Sequence, residues 1–190
     1  MSNTALLAMD IQNGIVGRLA APDYLPRLAR AVDAARSAGI PVLHVVVGFR
    51  SGHPEVSERN MAFSGLGTSG VFTPADPGAA IHPDLAVRPD ETVITKKRVS
   101  AFAGSDLEMV LRAQGITDLV LTGVATSGVV LSTLRQAADL DYRLTVLADG
   151  CADTDEEVHR VLTEKVFPRQ ATVTTVDEWA KAVATQGPKP

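Results

Sequence analysis

Three features of the chain predict a three-layer α/β/α sandwich around a mostly parallel, doubly wound sheet of about six strands. Six short runs rich in Val, Ile and Leu recur along it, amphipathic helical patterns stand between most of them, and 190 residues with 45% hydrophobic side chains suffice for one compact core. Strands that alternate with helices pair in parallel through right-handed crossovers. A single domain over residues 1–190 is expected.

The first run, "ALLAMD" at 5–10, is apolar almost throughout, as a strand covered on both faces requires. The helix pattern "LPRLARAVDAARSAG" follows, with Leu25, Leu28, Ala29, Val32 and Ala35 on one face and Gly39 as its stop. "PVLHVVVGF" at 41–49 is the second strand and "TVIT" at 92–95 the third. Between them, residues 50–90 break the rhythm with Gly, Pro, Ser and Asn, and a connection this long reads as a lid or interface segment rather than a linker. Within it, "RNMAFSG" offers Met61 and Phe63 as apolar wall residues, which simple loop packing explains equally well. A helix "SDLEMVLRAQG", started by Ser105 and ended by Gly115, leads to the fourth strand, "DLVLTGV" at 118–124. A helix over 127–140 leads to the fifth strand, "RLTVLAD" at 143–149, and "DEEVHRVLTEKVF" to the last, "ATVTTV" at 171–176.

Charge and composition narrow the partners. The formal net charge is −4, no dense Lys/Arg run occurs, and 4% of residues are aromatic, which argues against nucleic acid and anionic membrane surfaces and for a small-molecule substrate. The N-terminal "MSNTALLAMDIQNGIV" lacks the order of a secretion signal, so a cytoplasmic location is expected. Cys151, the single cysteine, forms no intrachain disulfide, and its acidic neighbours favour a packed residue over a reactive thiol. His44, His53, His82 and His159 lack metal-ligand spacing, His159 reading as solvated on a charged helix, and no phosphate loop is present. No metal and no cofactor are expected.

In doubly wound folds, ligands gather beyond the carboxyl ends of the strands. Asp10 ends the first strand there, with Gln12 just beyond it as a candidate substrate contact. Asp10 is either a general acid or base or a turn cap. Lys96, Lys97 and Arg98 arrive at the same edge from the third strand, as site cations or as a solvated basic loop. After the fourth strand, "GVATSGVVL" opens a helix whose free amides suit an anion or oxyanion, with Ser127 as a helix cap or a nucleophile.

Taken in order, "LLAMDIQNG", "TKKRVSAFAGSDL", "LVLTGVATSGVVLSTLRQAADLDYRLTVLADGCAD" and "VFPRQATV" resemble the isochorismatase-like hydrolase superfamily, also called the cysteine hydrolases, over nearly the whole chain. The resemblance implies an Asp after the first strand, matched by Asp10, a Lys after the third, matched by Lys96, and in most branches a nucleophilic Cys after the fourth, whose place is taken by Val129. Arg98 falls where isochorismatases tend to carry an Arg, and Val124 and Ala125 fall where the family commonly has a cis peptide that turns amides towards substrate. Val124, Ala125, Thr126, Ser127, Gly128, Gln12, Arg98 and Phe63 are thus the expected substrate-binding set.

A valine forms no thioester, so the family's cysteine chemistry is not expected, and Cys151 belongs to a different motif. The Asp and His metal pattern typical of nicotinamidases is also missing. Isochorismatases proper work without the cysteine, their Asp protonating a vinyl ether to an oxocarbenium ion that water attacks. Asp10 does this if protonated, against the pull of Lys96, or else stays ionised and acts as a base towards water. The resemblance implies a cysteine-independent hydrolase of a small anionic metabolite, assembled as a homodimer or homotetramer. The alternatives are a catalytically silent relative that binds a ligand or partner, and a Ser127 nucleophile.

Overall fold

The computed structural model describes residues 3–19, 21–67 and 69–186, so Thr68, inside the expected lid segment, lies outside the described residues. The strands are β1 (Thr4–Met9), β2 (Val42–Val47), β3 (Thr92–Lys96), β4 (Asp118–Val124), β5 (Arg143–Ala152) and β6 (Thr172–Thr174). They form one sheet in the order β3-β2-β1-β4-β5-β6, and every neighbouring pair is parallel. The helices are α1 (Asn13–Val16), α2 (Tyr24–Ser37), α3 (Leu107–Ala113), α4 (Leu131–Asp139), α5 (Glu156–Val161) and α6 (Val176–Gln186). Among the described residues, no helix is long and apolar enough to cross a membrane.

The central strand shows why its sequence is a continuous apolar run. Ala5, Leu7 and Met9 join one core with Leu107 and Leu111 of α3 and Leu134 and Ala137 of α4. Leu6 and Ala8 join the other, with Leu28, Val32 and Ala35 of α2 and Val176 and Trp179 of α6. Successive strand residues point to opposite faces, so a strand with helices on both sides has no solvent-facing set. The chain winds from β1 outward to β3 and then crosses back to β4, which makes the gap between the carboxyl ends of β1 and β4 the topological switch point.

Several boundaries differ from expectation. The fifth strand runs on to Ala152 through a register jump opposite Leu121 and Gly123, so Cys151 lies inside the strand rather than after it. The helix expected over 127–140 opens as a π-turn over Thr126–Val130 before α4 begins. Ser105 accepts the Leu107 amide at 3.3 Å and donates its own hydroxyl to the Ala101 carbonyl at 2.6 Å, and α3 starts two residues later. α6 was not anticipated, and the last strand stops at Thr174 instead of 176.

At the opposite edge of the sheet, a buried ion cluster ties α2, β2 and the approach to β3 together. Arg36 donates to both Glu91 oxygens, at 2.7 and 2.9 Å, and His44, 1% exposed, meets Glu91 Oε2 at 2.9 Å. Burial alone would raise the Glu91 carboxyl, but hydrogen bonds from Arg36, the Arg88 amide and His44 outweigh it and hold the group down to about 2. Burial lowers the pKa of His44, whose Nδ1 has no partner among the described residues. Glu91→Gln is therefore expected to cost about 2–3 kcal/mol, read as a lower urea midpoint with an unchanged slope. A carboxyl whose folded pKa is depressed stabilises fully above its unfolded value of about 4.3, and that contribution is lost as pH falls towards the folded value. The deficit of Glu91→Gln should accordingly narrow between about pH 4 and 2, and a deficit constant over that window would refute the assignment.

Candidate active site

Asp10 leaves β1 with φ +59, a left-handed conformation that Asp tolerates better than most residues, and its amide donates to the Val45 carbonyl at 2.7 Å. This kink turns the side chain out of the strand pattern and towards Lys96 at the end of β3. The carboxylate is buried, with Oδ2 2.9 Å from Lys96 Nζ and Oδ1 without a hydrogen-bond partner among the described residues.

Lys96 is the last residue of β3, and β2 separates that strand from β1. Neighbouring strands lie about 4.8 Å apart, so the cation must cross about 10 Å of sheet edge, a span that a four-carbon stem and an aspartate together bridge. Lys96 is 2% exposed and donates also to the Arg98 carbonyl at 3.0 Å. Burial pushes the Asp10 carboxyl up to about 6, against the charge and hydrogen bond of Lys96, which pull it down. Burial thus outweighs the ion pair, which was the condition for Asp10 to carry a proton near neutrality.

The other expected site residues divide by what they touch. Gln12 is fully buried, and its side-chain amide donates to the Val47 and Ala79 carbonyls at 2.9 and 2.8 Å while its oxygen accepts from the Val47 amide at 2.9 Å. Both amide protons are spent, so Gln12 acts as a strut between β2 and the long connection and has none left for a ligand. Arg98 donates to the Glu55 carbonyl at 2.8 Å and Lys97 to the Gly48 carbonyl at 2.6 Å. The basic cluster therefore staples the start of the 50–90 segment to the end of β3. Phe63 packs in a small cluster with Phe49 and Val47, its ring edge-on to Phe49 at 5.8 Å. Met61, paired with it as a wall residue from sequence, is 96% exposed.

The peptide bond between Val124 and Ala125 is cis, at the position the resemblance gave. Beyond it, three of the amides of this turn have partners within the chain. Ser127 donates its N–H to Asp153 Oδ2 at 2.8 Å, and the Ala125 carbonyl accepts from Gly128 and Val130 at 3.1 and 3.3 Å. The anion drawn to this turn is the chain's own Asp153. Burial would raise that carboxyl, but bonds from Ser127 and the following backbone hold it below the usual range. Ser127 is exposed and lies inside the turn rather than at its cap, facing Asp153 and not Asp10. Val129 is 2% exposed in the apolar cluster of Met9, Phe102 and Cys151. Cys151 is itself buried, which pushes its thiol up to about 12 and leaves it inert.

Sequence reading missed Asp153 and His159. His159, expected to be solvated, is half-buried, and its Nδ1 lies 2.8 Å from Thr126 Oγ1. Its signal was topological: a helix that begins just beyond β5 places its first turn beside the turn that follows β4. Among the described residues, no group of three or more His, Cys, Asp or Glu is arranged to hold a metal ion.

A family model described as the isochorismatase domain matches residues 4–178. The chain is 32% identical over 184 residues to YwoC of Bacillus subtilis, an uncharacterized isochorismatase family protein, spanning 95% of this chain and 94% of YwoC. It is 32% identical over 172 residues to the ureidoacrylate amidohydrolase RutB of Stutzerimonas stutzeri, spanning 78% and 69% of the two chains. A solved structure of an isochorismatase family protein from Burkholderia thailandensis covers 97% of each chain with a TM-score of 0.84 at 29% identity.

Proposed function

The chain belongs to the isochorismatase family, and from that premise we propose that it is a hydrolase that acts on a small anionic metabolite without a cysteine nucleophile. The observation that carries this reading is Asp10: one oxygen held by Lys96, the other buried and unpartnered, and the carboxyl pushed up to about 6. A carboxyl with that affinity is protonated in roughly one molecule in ten at pH 7, close to the operating pH as proton transfer requires. On a vinyl ether, Asp10 delivers its proton to the alkene carbon and water adds to the resulting oxocarbenium carbon. Loss of the alcohol then completes hydrolysis, and the proton released by water restores Asp10.

Lys96 has three donors, of which Asp10 and the Arg98 carbonyl take two, and the third is directed to a substrate oxygen. Lys97 and Arg98 hydrogen-bond only to carbonyls among the described residues, and with the Glu55 carboxylate within electrostatic reach of Lys97, it is the Arg98 charge that remains to attract an anion. Segment 50–90, held by Arg98 at Glu55 and by Gln12 at Ala79, is the lid in this reading. A cytoplasmic homodimer or homotetramer is the assembly it carries, supported by the family alone.

One observation favours a second reading. Val129 fills the nucleophile position with buried methyl groups, as expected of a binding protein whose chemistry has been lost. Turnover of isochorismate and a panel of small amides by wild type and Val129→Cys separates the two. Wild-type turnover of the vinyl ether, with kcat changing through a group near pH 6, is the expected result. A silent wild type beside a Val129→Cys variant that hydrolyses amides would put the binding reading first.

A further inference from the structure

We propose that His159 is a positioning residue for the reaction just described, holding Thr126 through a neutral imidazole whose Nδ1 accepts the threonine hydroxyl. The proposal rests on the hydrolase reading for its effect on turnover, while the hydrogen bond itself is independent of it. Thr126 is fully buried and opens the π-turn Thr126–Val130 directly after Ala125. Met9 pairs with Gly123 in the sheet, so Asp10 and Val124 leave neighbouring strands at the same level, and the turn that Thr126 opens begins two residues beyond Val124.

The direction of the bond follows from burial. A hydroxyl that no water reaches needs an acceptor for its proton, and the only partner of Thr126 Oγ1 among the described residues is His159 Nδ1 at 2.8 Å. An imidazolium would carry a proton on Nδ1 and take that acceptor away, leaving a buried donor unsatisfied. The ring is therefore the neutral tautomer with its proton on Nε2, and the surroundings agree: burial lowers its pKa more than Asp153 raises it.

The charges facing the ring are few. Asp153 reaches it from the connection between β5 and α5, and the turn Thr126–Val130 carries none. On α5 itself, Asp155 accepts the Glu157 and Val158 amides, Glu156 is exposed, and Arg160 is paired with Glu157 and Glu164. Lys165 follows in the next turn. Thr126 to His159 is thus the bond that ties the fourth-strand turn to α5 by side chains, and protonation of His159 would remove its acceptor.

The test joins a titration to kinetics. In nitrogen-15 spectra of the full chain, Nδ1 of His159 should show the shift of an unprotonated nitrogen at pH 8, and the ring pKa should rise by about half a unit to one unit in Thr126→Val, where the neutral form loses its donor. Thr126→Ser should return it towards the wild-type value. In turnover at pH 8, His159→Ala should lower kcat about tenfold with KM little changed, and His159→Asn, which places an amide oxygen near the old Nδ1, should recover most of the loss. A ring pKa identical in wild type and Thr126→Val, or a proton found on Nδ1 at pH 8, would overturn the assignment, as would wild-type kcat in His159→Ala. Absence of turnover in all preparations with the titration shift intact would instead remove the hydrolase reading and leave the hydrogen bond standing.

Discussion

Asp10→Asn is expected to lower kcat by about 10²–10⁴-fold, the usual worth of a positioned general acid or base. Asparagine keeps the shape and one acceptor for Lys96, but its amide neither gives nor takes a proton at any working pH. The substitution also leaves the Lys96 ammonium buried with no counter-charge, which costs stability whatever the chemistry. Lys96→Met in the same chain removes that cost by neutralising both members of the pair. The double variant should regain thermal stability and stay inactive, so a double variant that recovers turnover would show that Asp10→Asn acted through folding. In wild type, the slope of kcat against pH decides the role of the carboxyl: a fall above about pH 6 marks it as the acid, and a fall below marks it as the base.

The same group makes a stability prediction with a fixed sign. The folded Asp10 carboxyl takes its proton near 6 and an unfolded one near about 3.9, so the folded chain holds the extra proton between those values. Its contribution is full below about 3.9 and is lost as pH rises through about 6. Glu91 behaves in the opposite sense and at lower pH, because its hydrogen bonds overcome its burial while those of Asp10 do not. Urea midpoints of wild type minus Asp10→Asn should therefore decline from pH 4 to 7. A difference that rises over this range would mean that Lys96 wins over burial.

How far the sequence was legible follows from the range of each interaction. β1 and α2 could be read because burial on two faces, or along one stripe, writes a local pattern. Asp10 and Lys96 could be read because strand ends fix where a side chain emerges, whatever it later touches. α6 was overlooked although its signal is local: Thr175 accepts the Glu178 amide at 3.2 Å and Glu178 returns to the Thr175 amide at 3.2 Å, a capping box spelled Thr-Val-Asp-Glu. The β-branched run "TVTTV" extends across that box and argued for strand. The strut role of Gln12 and the burial of His159 were not legible for another reason, since their partners lie 35, 67 and 33 residues away. No window of sequence tells a polar residue bound for solvent from one that will satisfy a buried carbonyl or hydroxyl.

Gly123 is the position where a single methyl group should cost most. A Cβ built there stands 2.5 Å from the Met9 carbonyl oxygen and 2.9 Å from Met9 Cβ, and the residue's φ of +149 is one that L side chains rarely adopt. Neither obstacle is the loose end of a side chain: the oxygen belongs to the backbone of the central strand, opposite Gly123 in the register. To admit the methyl, β4 must draw back from β1 where Asp10 and Val124 leave the sheet, so packing and site are lost together. Gly123→Ala is expected to destabilise by about 4 kcal/mol or more, a large share of what a domain of this size has, and to lower Tm by about 10 °C or more. Gly115→Ala is the matched control, with φ +66 but nothing within 4 Å of the added carbon. It should show the conformational cost alone, about 1 kcal/mol. Equal losses in the two variants would mean that β1 and β4 separate easily at this point, and the close approach that sets Asp10 beside the fourth-strand turn would then not be a fixed feature of the fold.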